Sequence, residues 1–143
     1  MKSWKESQDE AREVKADIDM AKSISKMMDI RSRAVEVLTK DEFISLKLEG
    51  YYEIIKEGIT ALMSIDGYKT LSHEVLIGYL GEFYKEFSES DLMLMDQVRS
   101  LRNKIVYKGF FIDKDYLDRN EAKIREIIGK LKRIVHSKLN MRN

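Results

Sequence analysis

The amino-acid sequence predicts an all-α protein, an antiparallel up-and-down bundle of about five helices. Apolar residues recur at alternating spacings of three and four along most of the chain, which is the period of an amphipathic helix. No proline occurs among the 143 residues, so no helix is interrupted by a missing backbone donor. The sequence also shows no strand-like alternation and no internal repeat. These observations favour a helical bundle over sheet-containing classes.

Residues 8–38 carry a narrow apolar seam and are predicted to form one long helix or two shorter ones. The seam consists of small and medium-sized residues: Ala11, Val14, Ile18, Ala21, Ser25, Met28, Ser32 and Val35. The charged segment 29–33 is a candidate interruption, so both alternatives stay open.

A wider stripe begins at Ile44 and predicts a second helix, which ends at Asp66 and Gly67, a typical stop and turn signal. Ser72 is suited to cap a third helix, with Glu74 in its first turn. Several aromatic residues of these two helices are expected in the core: Tyr51, Tyr52, Tyr79, Phe83 and Phe87.

Ser88, followed three residues later by Asp91, matches a capping box and predicts the start of a fourth helix that ends at Gly109. The linker 110–112 reads Phe-Phe-Ile and is expected to pack on the bundle. A fifth helix is predicted to start between Asp113 and Asp118, with an apolar stripe formed by Ile124, Ile127, Ile128, Leu131, Ile134 and Val135.

Length indicates a single domain over residues 1–143. Within it we expect an N-terminal helix or helix pair (1–40), a core (41–138) and a frayed end (139–143).

The absence of cysteine excludes disulfides and thiolate metal sites, and with only two histidines we expect neither a metal nor a cofactor. No secretory signal and no apolar run of about 20 residues occurs, so we expect a soluble cytoplasmic protein without a membrane partner.

Charge is distributed unevenly, although the net charge is only +1. Residues 1–40 carry nine bases and eight acids, residues 41–98 four bases and twelve acids, and residues 99–143 thirteen bases and five acids. A basic last third can bind phosphates, or it can dock against the acidic middle of the same chain or of a second copy. Both interpretations stay open. Glycine-rich phosphate loops, Gly-x-Ser-x-Gly elbows and His-Glu-x-x-His zinc helices do not occur.

Three segments between residues 45 and 112 together carry a family resemblance. The fourth helix contains RSLRNKIVYKG (99–109), the second contains the aromatic-rich EGYYEIIK (49–56), and DGYKTLSHE (66–74) leads to His73 at the start of the third. In this order and spacing, the segments resemble the HEPN family of small helical proteins from bacteria and archaea. The family's signature is an arginine, then a polar residue that is usually asparagine, then a histidine a few positions on.

The resemblance implies a four- or five-helix bundle that usually forms a homodimer, with the arginine motifs of both copies in a shared cleft. Many members of the family are metal-independent endoribonucleases that act as toxins or in defence. Others are non-catalytic and pair with a small nucleotidyltransferase. With Arg102 as the motif arginine, the histidine position falls on Tyr107, and tyrosine is a poor general base at neutral pH.

We therefore expect a dimeric HEPN-like module that binds nucleic acid, a nucleotide or a partner protein and is catalytically weak or inactive. The alternative is a metal-independent endoribonuclease of the toxin or defence type that uses Arg102, Asn103 and Tyr107. An arginine would stabilise charge on phosphorus with a fixed fork of donors, and a histidine would move protons because its pKa lies near 7.

Phosphate binding is expected from five basic residues: Arg99, Arg102, Lys104, Lys108 and His73. Helical spacing places Arg99, Asn103 and Tyr107 in one row and Arg102 on the other flank. His73 can serve the same site only if the third helix reaches the cleft.

Overall fold

The computed structural model describes residues 1–142, and within them it confirms an all-α bundle of five helices. These are α1 (Ile18–Glu36), α2 (Ile44–Asp66), α3 (His73–Phe83), α4 (Glu89–Lys108) and α5 (Lys114–Met141). A small antiparallel sheet accompanies them, formed by β1 (Ala11–Glu13) and β2 (Tyr68–Thr70). Short 3₁₀ turns occupy Lys5–Ser7 and Asp41–Phe43.

The central helix is α2, and α1, α3, α4 and α5 all pack against it. Most of its length is apolar and buried, which is why its sequence shows the widest stripe of the chain. At Gly58 the neighbouring helices come especially close. A Cβ at this position would lie 2.8 Å from Met28 Cε on α1 and 2.6 Å from Leu131 Cγ on α5. The missing side chain therefore lets three helices meet at one level of the bundle.

Local sequence signals set several of the helix ends. Gly67 and Gly109 follow α2 and α4 with φ angles of 85° and 64°, a left-handed conformation that favours glycine. Ser88 and Asp91 form the reciprocal capping box at the start of α4. Asp113 caps α5 with its carboxylate. These boundaries agree with the predicted ones.

The N-terminal segment differs from the helix predicted to begin near residue 8. The Asp17 carboxylate accepts a hydrogen bond from the Met20 backbone N–H at 2.9 Å, so α1 starts only at Ile18. The preceding residues form β1, which pairs with β2, so the expectation of a chain without strands is wrong here. Segment 29–33 does not interrupt the helix, and α1 is one helix rather than two.

The C-terminal helix is longer than expected. α5 continues to Met141, and the buried Leu139 packs in the core, so the fraying predicted from residue 139 is wrong for this part of the chain. Asn143 lies outside the described residues. The apolar side chain of Leu139 anchors the last turn because it continues the stripe of α5.

Two predictions about aromatic packing are also corrected. In the linker after α4 only Ile112 is buried, whereas Phe110 and Phe111 are exposed. Phe83 is 44% exposed although its spacing predicted a core position, because it lies at the last residue of α3.

Candidate functional site

The C-terminal half of α4 lies over α2 and carries the motif residues. Val98 is fully buried and holds α4 against the core one turn before Arg102. The Nη2 of Arg102 donates to Glu53 Oε1 on α2 at 3.1 Å. The guanidinium lies 5.5 Å from the centroid of the Tyr52 ring, also on α2. Arg102 is therefore a tie between the two helices.

The structure brings the three predicted catalytic residues together. Arg102 Nη1 donates to Asn103 Oδ1 at 3.3 Å, and the guanidinium lies 6.0 Å from the Tyr107 ring centroid. Helical spacing alone placed Arg102 and Tyr107 on different flanks, but the long arginine side chain crosses between them. Tyr107 is 73% exposed, so its ring and hydroxyl are accessible from solvent.

His73 reaches the same cluster from another helix. It is the first residue of α3, and its ring centroid lies 6.3 Å from that of Tyr52, the ring that Arg102 also contacts. Partial burial and the positive charges of Lys56 and Arg102 lower the pKa of His73 below its ordinary value of 6.5. The imidazole is thus mostly neutral at neutral pH and able to accept a proton.

Glu53 is a site residue that the sequence did not reveal. Its carboxylate contacts Lys56 Nζ at 2.7 Å and Arg102 Nη2 at 3.1 Å. Burial would raise the pKa of Glu53, but the hydrogen bond and charge of Lys56 and the charge of Arg102 outweigh it and lower the pKa. Glu53 is therefore charged, and its carboxylate is the ion-pair partner of the Arg102 guanidinium. The sequence shows the i,i+3 spacing between Glu53 and Lys56. It does not show the contact between Glu53 and Arg102, because that contact depends on how α4 packs against α2.

Arg99 is likewise held in an ion pair. Its Nε and Nη2 contact Asp96 Oδ1 at 3.1 and 3.0 Å, a pair within one turn of α4. Lys104 and Lys108 differ from the two arginines, because both are exposed and neither forms an ion pair within residues 1–142. Among the predicted phosphate-binding residues of α4, the two lysines thus carry the free charge.

The bases of α5 are used largely inside the molecule. Lys123 and Lys130 contact the buried carboxylate of Asp91 at 3.2 and 3.3 Å. Lys138 contacts Asp66 at 2.5 Å. Much of the basic last third therefore docks against the acidic middle of the same chain, which was one of the two interpretations of the charge pattern.

Comparisons with models of known families, with curated proteins and with solved structures find no match. Within residues 1–142, no group of three or more His, Asp or Glu side chains is arranged to hold a metal ion. In the same part of the chain, no helix combines the length and apolar character needed to cross a bilayer.

Proposed function

We propose that this protein is a HEPN-like helical module that binds nucleic acid through the C-terminal half of α4 and is catalytically weak or inactive. The observation that carries the proposal is the free charge of Lys104 and Lys108. They lie in segment 99–112, which contains four bases and no acid. Unpaired cations on an exposed helix attract the phosphate backbone and release its counterions on binding.

The occupied arginines support weak or absent catalysis. Each guanidinium is paired with a carboxylate, Arg99 with Asp96 and Arg102 with Glu53. A phosphate would have to displace these acids before an arginine could stabilise charge on it. Ribonuclease chemistry at neutral pH needs such a donor ready in advance.

The resemblance also implies a homodimer, and we include it in the proposal. Met93 is a large apolar side chain exposed on α4, and a contact between two copies of that helix would cover it. Light scattering tests the dimer. A free nucleotide and a nucleotidyltransferase-type protein are the other ligands that the resemblance implies, and competition with labelled RNA would detect either.

The binding proposal is tested by fluorescence anisotropy with a short single-stranded RNA at low salt. Replacing both Lys104 and Lys108 by Ala should weaken binding about tenfold or more, because two phosphate contacts are lost. The matched control replaces Lys22 and Lys26 by Ala, which are exposed on α1 at the same spacing. Equal losses in both double variants, or no binding by the wild type, would contradict the proposal.

A second candidate function is a metal-independent endoribonuclease, favoured by the position of His73 near the Tyr52 ring that Arg102 also contacts. Neutral His73 would take the proton of the ribose 2′-hydroxyl as this oxygen attacks the adjacent phosphorus. The bond from phosphorus to the 5′-oxygen would break, and that oxygen would take a proton from the Tyr107 hydroxyl. Arg102 and Asn103 would hold the phosphate oxygens.

This candidate predicts cleavage of single-stranded RNA in the presence of EDTA and slow growth of cells that express the protein. Cleavage should rise with pH through the lowered pKa of His73, below 6.5, and then level off, because the base must be neutral. His73→Ala and Arg102→Ala should each abolish it. RNA that stays intact at high protein concentration, or cleavage that survives His73→Ala, would exclude this mechanism.

A further inference from the structure

The end of α4 and the linker behind it expose aromatic side chains next to lysines. Tyr107 is 73% exposed and Phe111 81%, and Phe110 is also exposed. Lys104 Nζ lies 5.9 Å from the Phe110 ring centroid, so a lysine and an aromatic ring lie side by side at this end of α4. Lys104, Tyr107, Lys108, Phe110 and Phe111 are called the aromatic–lysine surface below. Clustered apolar groups facing water generally mark a binding site.

We propose that the aromatic–lysine surface binds single-stranded nucleic acid by stacking unpaired bases on Tyr107 and Phe111. Lys104 and Lys108 hold the phosphates of the same strand. This inference rests on the proposed function and deepens it, since it names both the class of nucleic acid and the mode of recognition.

Stacking requires a base with a free face. In a duplex each base is covered by its neighbours above and below, so an exposed aromatic ring gains little from it. An unpaired strand offers its base faces together with its phosphates, and every base has a face that can stack. A combination of exposed rings and unpaired lysines suits both parts of such a strand.

The position of the rings follows from the end of α4. Gly109 adopts a left-handed conformation and terminates the helix, and open space surrounds the position that a Cβ would take. Phe110 and Phe111 therefore belong to the linker that follows the last turn, while Tyr107 and Lys108 lie within that turn. The surface combines one ring on the helix with two on the linker.

Charge favours a nucleic acid over a second copy of the chain as the occupant. In a two-fold contact centred on this segment, the segment of one copy would face the same segment of the other. Segment 99–112 holds four bases and no acid, so such a contact would bring like charges together. A phosphate backbone is complementary to the same segment. In the homodimer that the resemblance implies, the two aromatic–lysine surfaces would accordingly line the shared cleft without contacting each other.

The experiment compares three ligands: a short single-stranded RNA, a strand of the same length built from abasic nucleotides, and a duplex. Wild type should bind the normal strand about fivefold or more tightly than the abasic strand, because only the former can stack. The double variant Tyr107→Ala/Phe111→Ala should lose this preference and keep its affinity for the abasic strand. Met141→Ala removes a side chain that is also 81% exposed, at the far end of α5, and should change nothing.

The outcomes separate this inference from the proposed function. If wild type binds neither strand, the proposed function fails. If it binds normal and abasic strands equally, or prefers the duplex, stacking is overturned while nucleic-acid binding stands. A preference for bases that survives Tyr107→Ala/Phe111→Ala overturns the assignment to these rings. If the double variant loses a dimer instead, the surface is an interface between copies. Thermal unfolding should be nearly unchanged, because both rings are exposed.

Discussion

At the scale of single residues, Arg102 is the side chain on which the family resemblance depends, and it has a structural role as well. Its guanidinium bonds Glu53 and contacts the rings of Tyr52 and Tyr107. The arginine Nε is buried without a hydrogen-bond partner among the described residues. A side chain held this firmly links α4 to α2 whether or not it ever contacts a phosphate.

Replacing Arg102 by Ala should therefore lower the free energy of unfolding by about 1–3 kcal/mol, since a half-buried charged hydrogen bond is lost and Glu53 loses one partner. Urea denaturation measures this change. Lys104→Ala, on the exposed face of the same helix, should stay within about 0.5 kcal/mol of the wild type. An Arg102→Ala variant as stable as the Lys104→Ala control would show that the contacts of Arg102 with α2 contribute little to stability.

The sequence indicated some of these residues and missed the relations between them. Spacing predicted that Arg99, Asn103 and Tyr107 lie in one row. It could not predict that Arg102 crosses to Tyr107, because that rotamer depends on Glu53, which is 49 positions away in sequence. The approach of His73 to the cluster was likewise undetermined, since it depends on how α3 packs.

At the scale of secondary-structure elements, the start of α4 is held by one buried carboxylate. Asp91 completes the capping box with Ser88 and contacts Lys123 and Lys130 of α5. Burial would raise the pKa of Asp91, but the Ser88 backbone N–H and the two lysines outweigh it and lower the pKa below its ordinary 3.8. This carboxylate joins the beginning of α4 to the middle of α5.

Asp91→Asn should destabilise the protein at pH 7 by about 1–3 kcal/mol, since two charged contacts are weakened. A carboxylate with a lowered pKa contributes stability above its unfolded pKa and loses that contribution as the pH falls through the folded value. The difference between wild type and Asp91→Asn should therefore be constant from pH 7 to pH 5 and shrink below about pH 4. Urea titrations across this range measure it, and a difference that persists at pH 2 would contradict the role of the charge.

The helix ends, the strand β1 and the start of α1 differed in how well the sequence predicted them. Gly67, Gly109 and the Ser88 capping box are local signals, and they predicted the helix ends that the structure shows. β1 has only three residues and is held by pairing with β2, more than fifty positions later, so no local pattern indicated it. Asp17 caps α1 in the structure, but the apolar seam that runs through this position predicted a helix beginning near residue 8.

At the scale of the whole molecule, the bases of the last third of the chain fall into two groups. The bases of α5 pair with acids of the middle and first thirds: Lys123 and Lys130 with Asp91, Lys138 with Asp66, Arg125 with Glu36, and Lys132 with Asp29. The last residues of α4 keep theirs exposed. A net charge of +1 thus conceals a free basic surface, to which the proposed function assigns the attraction of phosphates.

The salt dependence of single-stranded RNA binding tests nucleic-acid binding by α4 most directly. For wild type, the logarithm of the association constant should fall steeply and linearly with the logarithm of salt concentration. Replacing Lys104 and Lys108 by Ala should reduce that slope by about 1.4, since each phosphate contact on a single strand contributes about 0.7. Replacing Lys22 and Lys26 should leave the slope as it is. A wild-type protein that does not bind at low salt, or a slope that is the same in all three proteins, would contradict the account.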